Sequence, residues 1–329
     1  MRIETSAPTR IDLAGGTIDI WPLYLFHPGA QTLNAAISIR AHATIEPRED
    51  GRVVITSEDT AATVSADSWQ ELAQPQGLRL LCLLAHAFEA RGLTLTTRSE
   101  SPAGAGIAGS SALTVAVCAA LAEWNRRHLE PEALLQIAMN VEAQAIAVPT
   151  GLQDYRPALY GGLAALELDV EGIHRVPLDV DLEALRQRLV LCYTGEPRNS
   201  GTNNWDIMKR HIDGDQEVFD CFERIRDTAA DMRVALEGGH WDAVGAALRR
   251  EWTNRKRLAP GVTTPAIEQL IARAEAAGAT AAKVCGAGGG GCLVCYGPPA
   301  QRDDIATALE AGGARLLEYS FERDGLARG

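Results

Sequence analysis

Apolar positions along this chain switch between a period of two and a period of about 3.6, and the switches lay out its elements. Residues 1–57 carry β-branched and apolar residues at alternate positions (IETSA, SIRAHATIEP, GRVVITSED), which predicts several strands joined by polar turns. GLRLLCLLAHAFEAR, over 77–91, has helical spacing and stops at Gly92, a C-terminal cap. LTLTTRSE alternates as a strand. From Ser110 to about His128 the spacing is helical again, and Pro131 opens a further helix over 131–146, where its missing N–H is harmless.

VPTGLQDYRPALYGG reads as a Pro/Gly-punctuated loop, LAALELDV as a strand and Val190–Tyr193 as a buried strand. Residues 203–277 then read almost wholly as helices, broken near Asp213, Gly238-Gly239 and Pro260-Gly261. The chain returns to strand (TAAKVC), glycine loop (GAGGGG), strand (CLVCY), helix (DDIATALEAG) and strand (RLLEYSF). This shift of pattern puts a boundary near 170–187, giving domains over 1–175 and 176–329. Each holds strands and helices, so the expected class is α+β.

Composition narrows the function. A chain of 329 residues with 46% hydrophobic content can bury one large core or two ordinary ones, and its length favours two domains. Its formal charge of −12 argues against a general nucleic-acid binder, which needs clustered cations facing the phosphate backbone. There is no apolar run of about 18 residues to span a membrane, and MRIETSAPTR lacks an export signal, so a cytoplasmic protein without membrane partners is expected. The seven cysteines are odd in number and sit among apolar residues, as reduced structural thiols do. Cys292-Leu-Val-Cys295 has metal spacing but no second pair, and the seven histidines form no ligand pattern.

The chemistry concentrates in glycine loops. SPAGAGIAGSSAL at 101–113 contains G-x-G-x-x-G. As a dinucleotide fingerprint it needs an acid at the end of a strand about 20 residues on, and Glu123 falls inside the predicted helix instead. As a Walker loop it lacks the lysine, since Ser110 stands there. What remains is a glycine turn feeding a helix that opens Ser110-Ser111. Free backbone N–H groups, a positive dipole end and two hydroxyls suit a polyphosphate and its magnesium. APTRIDLAGGTIDIWPLY brings Arg10, Asp12 and Asp19 together around a Gly-Gly turn, and TGLQDYRPALYGG sets Asp154 between turn residues downstream of helical Glu142. GAGGGG at 286–291 is too glycine-dense for a simple turn and implies close approach by another backbone or a ligand.

Three of these segments stand in the order found in the GHMP kinases, and the sequence resembles that superfamily from end to end. AP-x-R at 7–10 is similar to its first motif, PAGAGIAGSSA at 102–112 to its second and KVCGAGGGGC at 283–292 to its third. Within it the chain resembles the sugar-kinase branch of D-glycero-D-manno-heptose 7-phosphate kinases and fucose kinases, through LAGGTID, LNAAI, G-x-QD, YTGEPR and LAPGVTTPAIEQL. The resemblance implies a ribosomal-protein-like N-terminal domain and a C-terminal α+β domain with the active site in the cleft between them. The implied reaction is transfer of the γ-phosphoryl group of ATP, with Mg²⁺, to a sugar hydroxyl, most readily the anomeric one.

By the same resemblance Gly104, Ala105, Gly106, Ala108, Gly109, Ser110 and Ser111 cradle the ATP phosphates. Ser110, Ser111 and Glu142 hold Mg²⁺. Asp154 receives or orients the acceptor proton beside Arg10, and Asp19, Gly16, Thr17, Gln153 and Arg198 bind the sugar. Three residues depart from the branch. Ala108 replaces a glycine, Leu152 stands where heptose kinases carry a lysine in G-K-Q-D, and Tyr155 replaces a glutamine. The missing lysine leaves open whether the acceptor is already phosphorylated, with Arg198 and Arg156 as candidate anchors. A kinase of another polyol, an ATP- and sugar-binding sensor without turnover, and a nicotinamide dehydrogenase are the alternatives. A homodimer is left open.

Overall fold

The computed structural model describes residues 2–196 and 200–329, without side chains for 200–203. Among them the organising element is an unusually long strand. β1 (Ile3–Ala14) pairs antiparallel with β2 (Gln31–Pro47), whose other edge is shared by two partners. After β3 (Val53–Ser57), β4 (Ala62–Ala66) and α1 (Arg79–Ala87), β5 (Leu93–Ser99) takes the second half of that edge, from Ala41 to Pro47. Next come α2 (Gly109–Trp124), α3 (Pro131–Ile146) and α4 (Tyr155–Tyr160). β6 (Leu163–Leu168) then takes the first half, from Gln31 to Ala35, and pairs with β7 (Ile173–Pro177).

The remainder builds a second layer. It runs α5 (Leu182–Arg186), β8 (Leu189–Tyr193), α6 (Ser200–Ile212), α7 (Gln216–Glu237), α8 (Trp241–Arg255), α9 (Pro265–Ala276), β9 (Ala281–Val284), β10 (Cys292–Tyr296), α10 (Arg302–Ala311), β11 (Arg315–Leu316) and β12 (Ala327–Arg328). β11-β8-β10-β9 is a four-stranded antiparallel sheet, while β12 returns to the first sheet and pairs with Thr5 and Ser6 of β1. Two mixed layers of helix and sheet follow, as the α+β expectation required.

Local sequence explains the elements that position the site. α2 (GSSALTVAVCAALAEW) is apolar nearly all round and lies in the core against β1 and β2, because such a helix has no polar face to give to water. α3 begins at Pro131, and α9 begins at Pro265 with Thr264 accepting the Ile267 N–H at 3.2 Å. The cysteines of the predicted structural set are all buried. No helix among the described residues is long and apolar enough to cross a membrane.

Two local expectations fail. The loop assigned to 148–162 contains α4, whose Tyr155, Arg156, Pro157 and Ala158 are buried. Pro157 sits in its first turn, where a missing N–H costs no helical bond, so packing overrides the punctuation signal. RLLEYSF was read as one strand, and only Arg315–Leu316 forms a ladder with β8, because the segment then crosses to the first sheet, where Phe321 bridges Ile37 of β2.

Candidate active site

The second and third glycine motifs meet each other. In the loop before α2, Gly104 and Gly106 adopt φ of +67° and +79°, the left-handed region that glycine enters without steric cost. Ala108 also lies there, at +62°, as the residue leading into α2. The Cys292 N–H donates to the Ala105 carbonyl at 2.6 Å, and a Cβ on Gly291 would stand 2.6 Å from that same oxygen. This close approach is what the glycine density of 286–291 anticipates.

α2 has no side-chain cap, and its first helical bond runs from the Ala112 N–H to the Ala108 carbonyl at 2.9 Å. By helix geometry the N–H groups of Gly109, Ser110 and Ser111 therefore have no intrahelical acceptor. They border a cavity of about 440 Å³ whose wall includes Gly104, Ala105, Gly106, Ala108, Gly109, Ser110 and Ser111. An uncapped, glycine-preceded helix start opening on a cavity of that size fits a polyphosphate.

Glu142 of α3 is buried and accepts the Ser111 hydroxyl at 2.9 Å. Burial pushes its carboxyl above the ordinary range, opposed by the Ser110, Tyr155 and Ser111 hydroxyls and reinforced by the nearby Asp154 charge. Glu142, Ser110 and Ser111 stand together on the cavity wall. These are hard oxygen donors, so the set fits Mg²⁺.

To the same cavity β1 presents Arg10, only 1% exposed. Its Nε and one terminal nitrogen both donate to Asp154 Oδ1, at 3.1 and 2.5 Å, and the other terminal nitrogen donates to the Gly106 carbonyl at 2.8 Å. Burial works against this guanidinium, yet Asp154 and Asp12 hold its pKa above the ordinary arginine value. Asp154, at the start of α4, is partly open to the cavity.

Asp19 is buried on the same wall, where Oδ2 accepts the Gln153 N–H at 2.9 Å. Burial, then the Asp154 charge, raises its carboxyl to about 6. Oδ1 has no hydrogen-bond partner. Thr17 and Gln153 line the cavity, and Thr17 holds φ at +74°, a costly conformation for a β-branched residue. Gly16 is placed differently: it packs on Arg255, whose Nη1 would lie 2.1 Å from a Cβ there. Arg198 lies outside the described residues.

Sequence reasoning missed the support behind this wall. Asp12 is fully buried and accepts Lys283 Nζ at 2.7 Å, Arg255 Nη1 at 3.4 Å and the Gly286 N–H at 3.0 Å. Arg255 also meets buried Glu251 at 3.3 Å. Lys283, Arg10 and Arg255 overcome the burial penalty and hold Asp12 far below the ordinary carboxylate range. The available signal was the lysine in TAAKVC, a charge inside an otherwise apolar strand.

The departures also resolve. Leu152 is buried beside Ile18, Ile20 and Leu23 in the core, and so fills space behind the wall. Tyr155 is likewise a core residue. Arg156 is buried and donates to Glu132 at 2.6 Å and to the Leu152 carbonyl at 3.3 Å, away from the cavity wall.

The profile of the GHMP kinases N terminal domain matches residues 78–162, and that of the GHMP kinases C terminal domain matches 232–315. A D-glycero-alpha-D-manno-heptose 7-phosphate kinase of Campylobacter jejuni is 27% identical over 98% of both chains. A mevalonate kinase of Thermococcus sibiricus is 26% identical over 99% of this chain and 98% of its own. The crystal structure of a D-glycero-D-manno-heptose 1-phosphate kinase from Bacteroides thetaiotaomicron shares the fold, with a TM-score of 0.79 at 24% identity over 99% of this chain and 98% of that one.

Proposed function

The chain belongs to the GHMP kinases, and from that premise we propose that it transfers the γ-phosphoryl group of ATP to a hydroxyl of a sugar or sugar phosphate. The observation that carries the reading is the shared wall: the uncapped start of α2, the Arg10–Asp154 pair and Asp19 all line one cavity. The heptose 7-phosphate kinase relative supports a sugar or sugar phosphate as acceptor.

In this reading the N–H groups from Gly109 to Ser111 and the turn through Gly104 and Gly106 hold the ATP phosphates. Ser110, Ser111 and Glu142 hold Mg²⁺, which when bound supplies neutralising charge for the transferring group. Asp19 and Gln153 fix the acceptor. Asp154 takes the hydroxyl proton as the acceptor oxygen bonds to the γ-phosphorus and the bond to the β-phosphate oxygen breaks, leaving ADP. Arg10 keeps Asp154 ionised and presents positive charge where negative charge develops.

The test is ADP release and mass gain of one phosphoryl group with ATP, Mg²⁺ and a panel of hexoses, heptoses and their phosphates. Tight ATP binding without any sugar product would move the protein to the class of non-catalytic sensors.

A further inference from the structure

The turn that carries Thr17 and Asp19 to the cavity wall is held from both sides. Gly15, Gly16 and Thr17 follow the end of β1, and Gly15 and Thr17 adopt φ of +81° and +74°. On one side a Cβ on Gly15 would stand 2.0 Å from the Gln31 carbonyl oxygen of β2. On the other side lies α8. The three atoms nearest a Cβ on Gly16 all belong to the Arg255 guanidinium, at 2.1, 2.8 and 2.8 Å. Gly16 itself lies outside the left-handed region, so a side chain there would meet the guanidinium rather than backbone strain.

Arg255 is buried and fixed at its other edges. Nη1 donates to Asp12 at 3.4 Å and to Glu251, one turn back on α8, at 3.3 Å, while Nη2 donates to the Gly286 carbonyl. Burial pushes the Glu251 carboxyl up, opposed by Arg255, Lys283 and the Gly15 N–H and reinforced by Asp12. The charge of Arg255 also reaches Asp19, where it works against the upward push of burial and of the Asp154 charge.

A β-branched residue held in the left-handed region persists only where its surroundings over-determine it. For Thr17 those surroundings are β2 behind Gly15 and the guanidinium against Gly16. Pairing with Asp12 asks only for positive charge, whereas filling the space beside Gly16 asks for the planar guanidinium, which a lysine lacks. Resting on the kinase reading above, we propose that Arg255, held by Glu251, is a positioning residue for the acceptor: its contact with Gly16 fixes the turn and so sets Thr17 and Asp19 against the substrate. Gly16 then serves acceptor binding through Arg255, without needing to touch the sugar.

The experiment is a double-variant cycle on the full chain, with kcat and acceptor KM measured for the hexoses, heptoses and phosphate esters of the panel above and ATP affinity measured by calorimetry. Arg255→Lys keeps a charge beside Asp12 but removes the guanidinium, and Gly16→Ala keeps every charge but pushes the guanidinium aside. Each alone should raise acceptor KM by about tenfold, with kcat and ATP affinity within about threefold of native. Gly16→Ala combined with Arg255→Lys should also stay near tenfold, because the added methyl enters space the guanidinium has left. Single effects that multiply to about a hundredfold, or an acceptor KM that stays native in either single variant, would overturn the proposal and leave the kinase reading intact. No product from the native chain with any acceptor would remove both.

Discussion

Arg10 grips one oxygen of Asp154 and leaves the other alone: two of its nitrogens converge on Oδ1, while no described residue donates to Oδ2. Because the same guanidinium holds the Gly106 carbonyl, the Asp154 carboxylate and the glycine loop share one anchor.

Asp154→Asn should therefore keep the anchor but lose the proton acceptor. ATP affinity by calorimetry should stay within a few-fold of the native value, while kcat falls by about 10²–10⁴. Turnover close to native would remove Asp154 from the mechanism.

The Asp19 carboxyl, raised to about 6, gives a pH dependence with a definite sign. Acceptor binding needs the ionised form, so KM for the sugar should rise as pH falls through about 6. For stability the sign is opposite. The fold favours the protonated form, so the penalty of holding Asp19 charged grows as pH rises from the ordinary carboxylate range and is complete above about 6. Asp19→Asn should thus melt higher than native at pH 8, with the difference shrinking toward pH 4, while its KM rises. Equal melting at both pH values would show that Asp19 is not strained in the fold.

Gly151 lies against Asp19, and a Cβ there would stand 2.4 Å from Oδ2. Gly151→Ala should push the carboxyl aside, raising acceptor KM without changing ATP affinity. Steady-state kinetics with each substrate varied in turn separates the two.

At Ala108 the backbone is left-handed, which costs an L-residue roughly 1–2 kcal/mol. Ala108→Gly relieves that cost but loses chain entropy in the unfolded state, so denaturant unfolding should shift by less than about 1 kcal/mol. Ala108→Val should lose about 1–3 kcal/mol, because branching worsens the clash.

Lys283→Met would leave Asp12 buried with one cation fewer. Breaking a buried pair in this way costs about 3–5 kcal/mol, read as a lower denaturation midpoint. A midpoint equal to native would show that Arg10 and Arg255 suffice for Asp12.

The parts of the site legible in the sequence are those built from local signals. The glycine turn before Ser110, the helix from Pro131 and the dense glycines after Lys283 each announce themselves within a dozen residues. What stayed hidden depends on pairing across the chain. Asp12 meets Lys283 and Arg255 from 271 and 243 residues away, and no periodicity reports such a contact. Leu152 was visible as a departure, but only its neighbours Ile18 and Ile20 show that the position had turned inward.

The ion pairs around Asp12 join β1 of the first sheet to β9 and α8 of the second, with Gly286 bonded to the same carboxylate. Disrupting one partner while the rest stay buried would leave an uncompensated charge, at several kcal/mol. The cleft is thus welded at its floor. A floor held in this way is set before any ligand arrives, so binding carries little cost of assembling it.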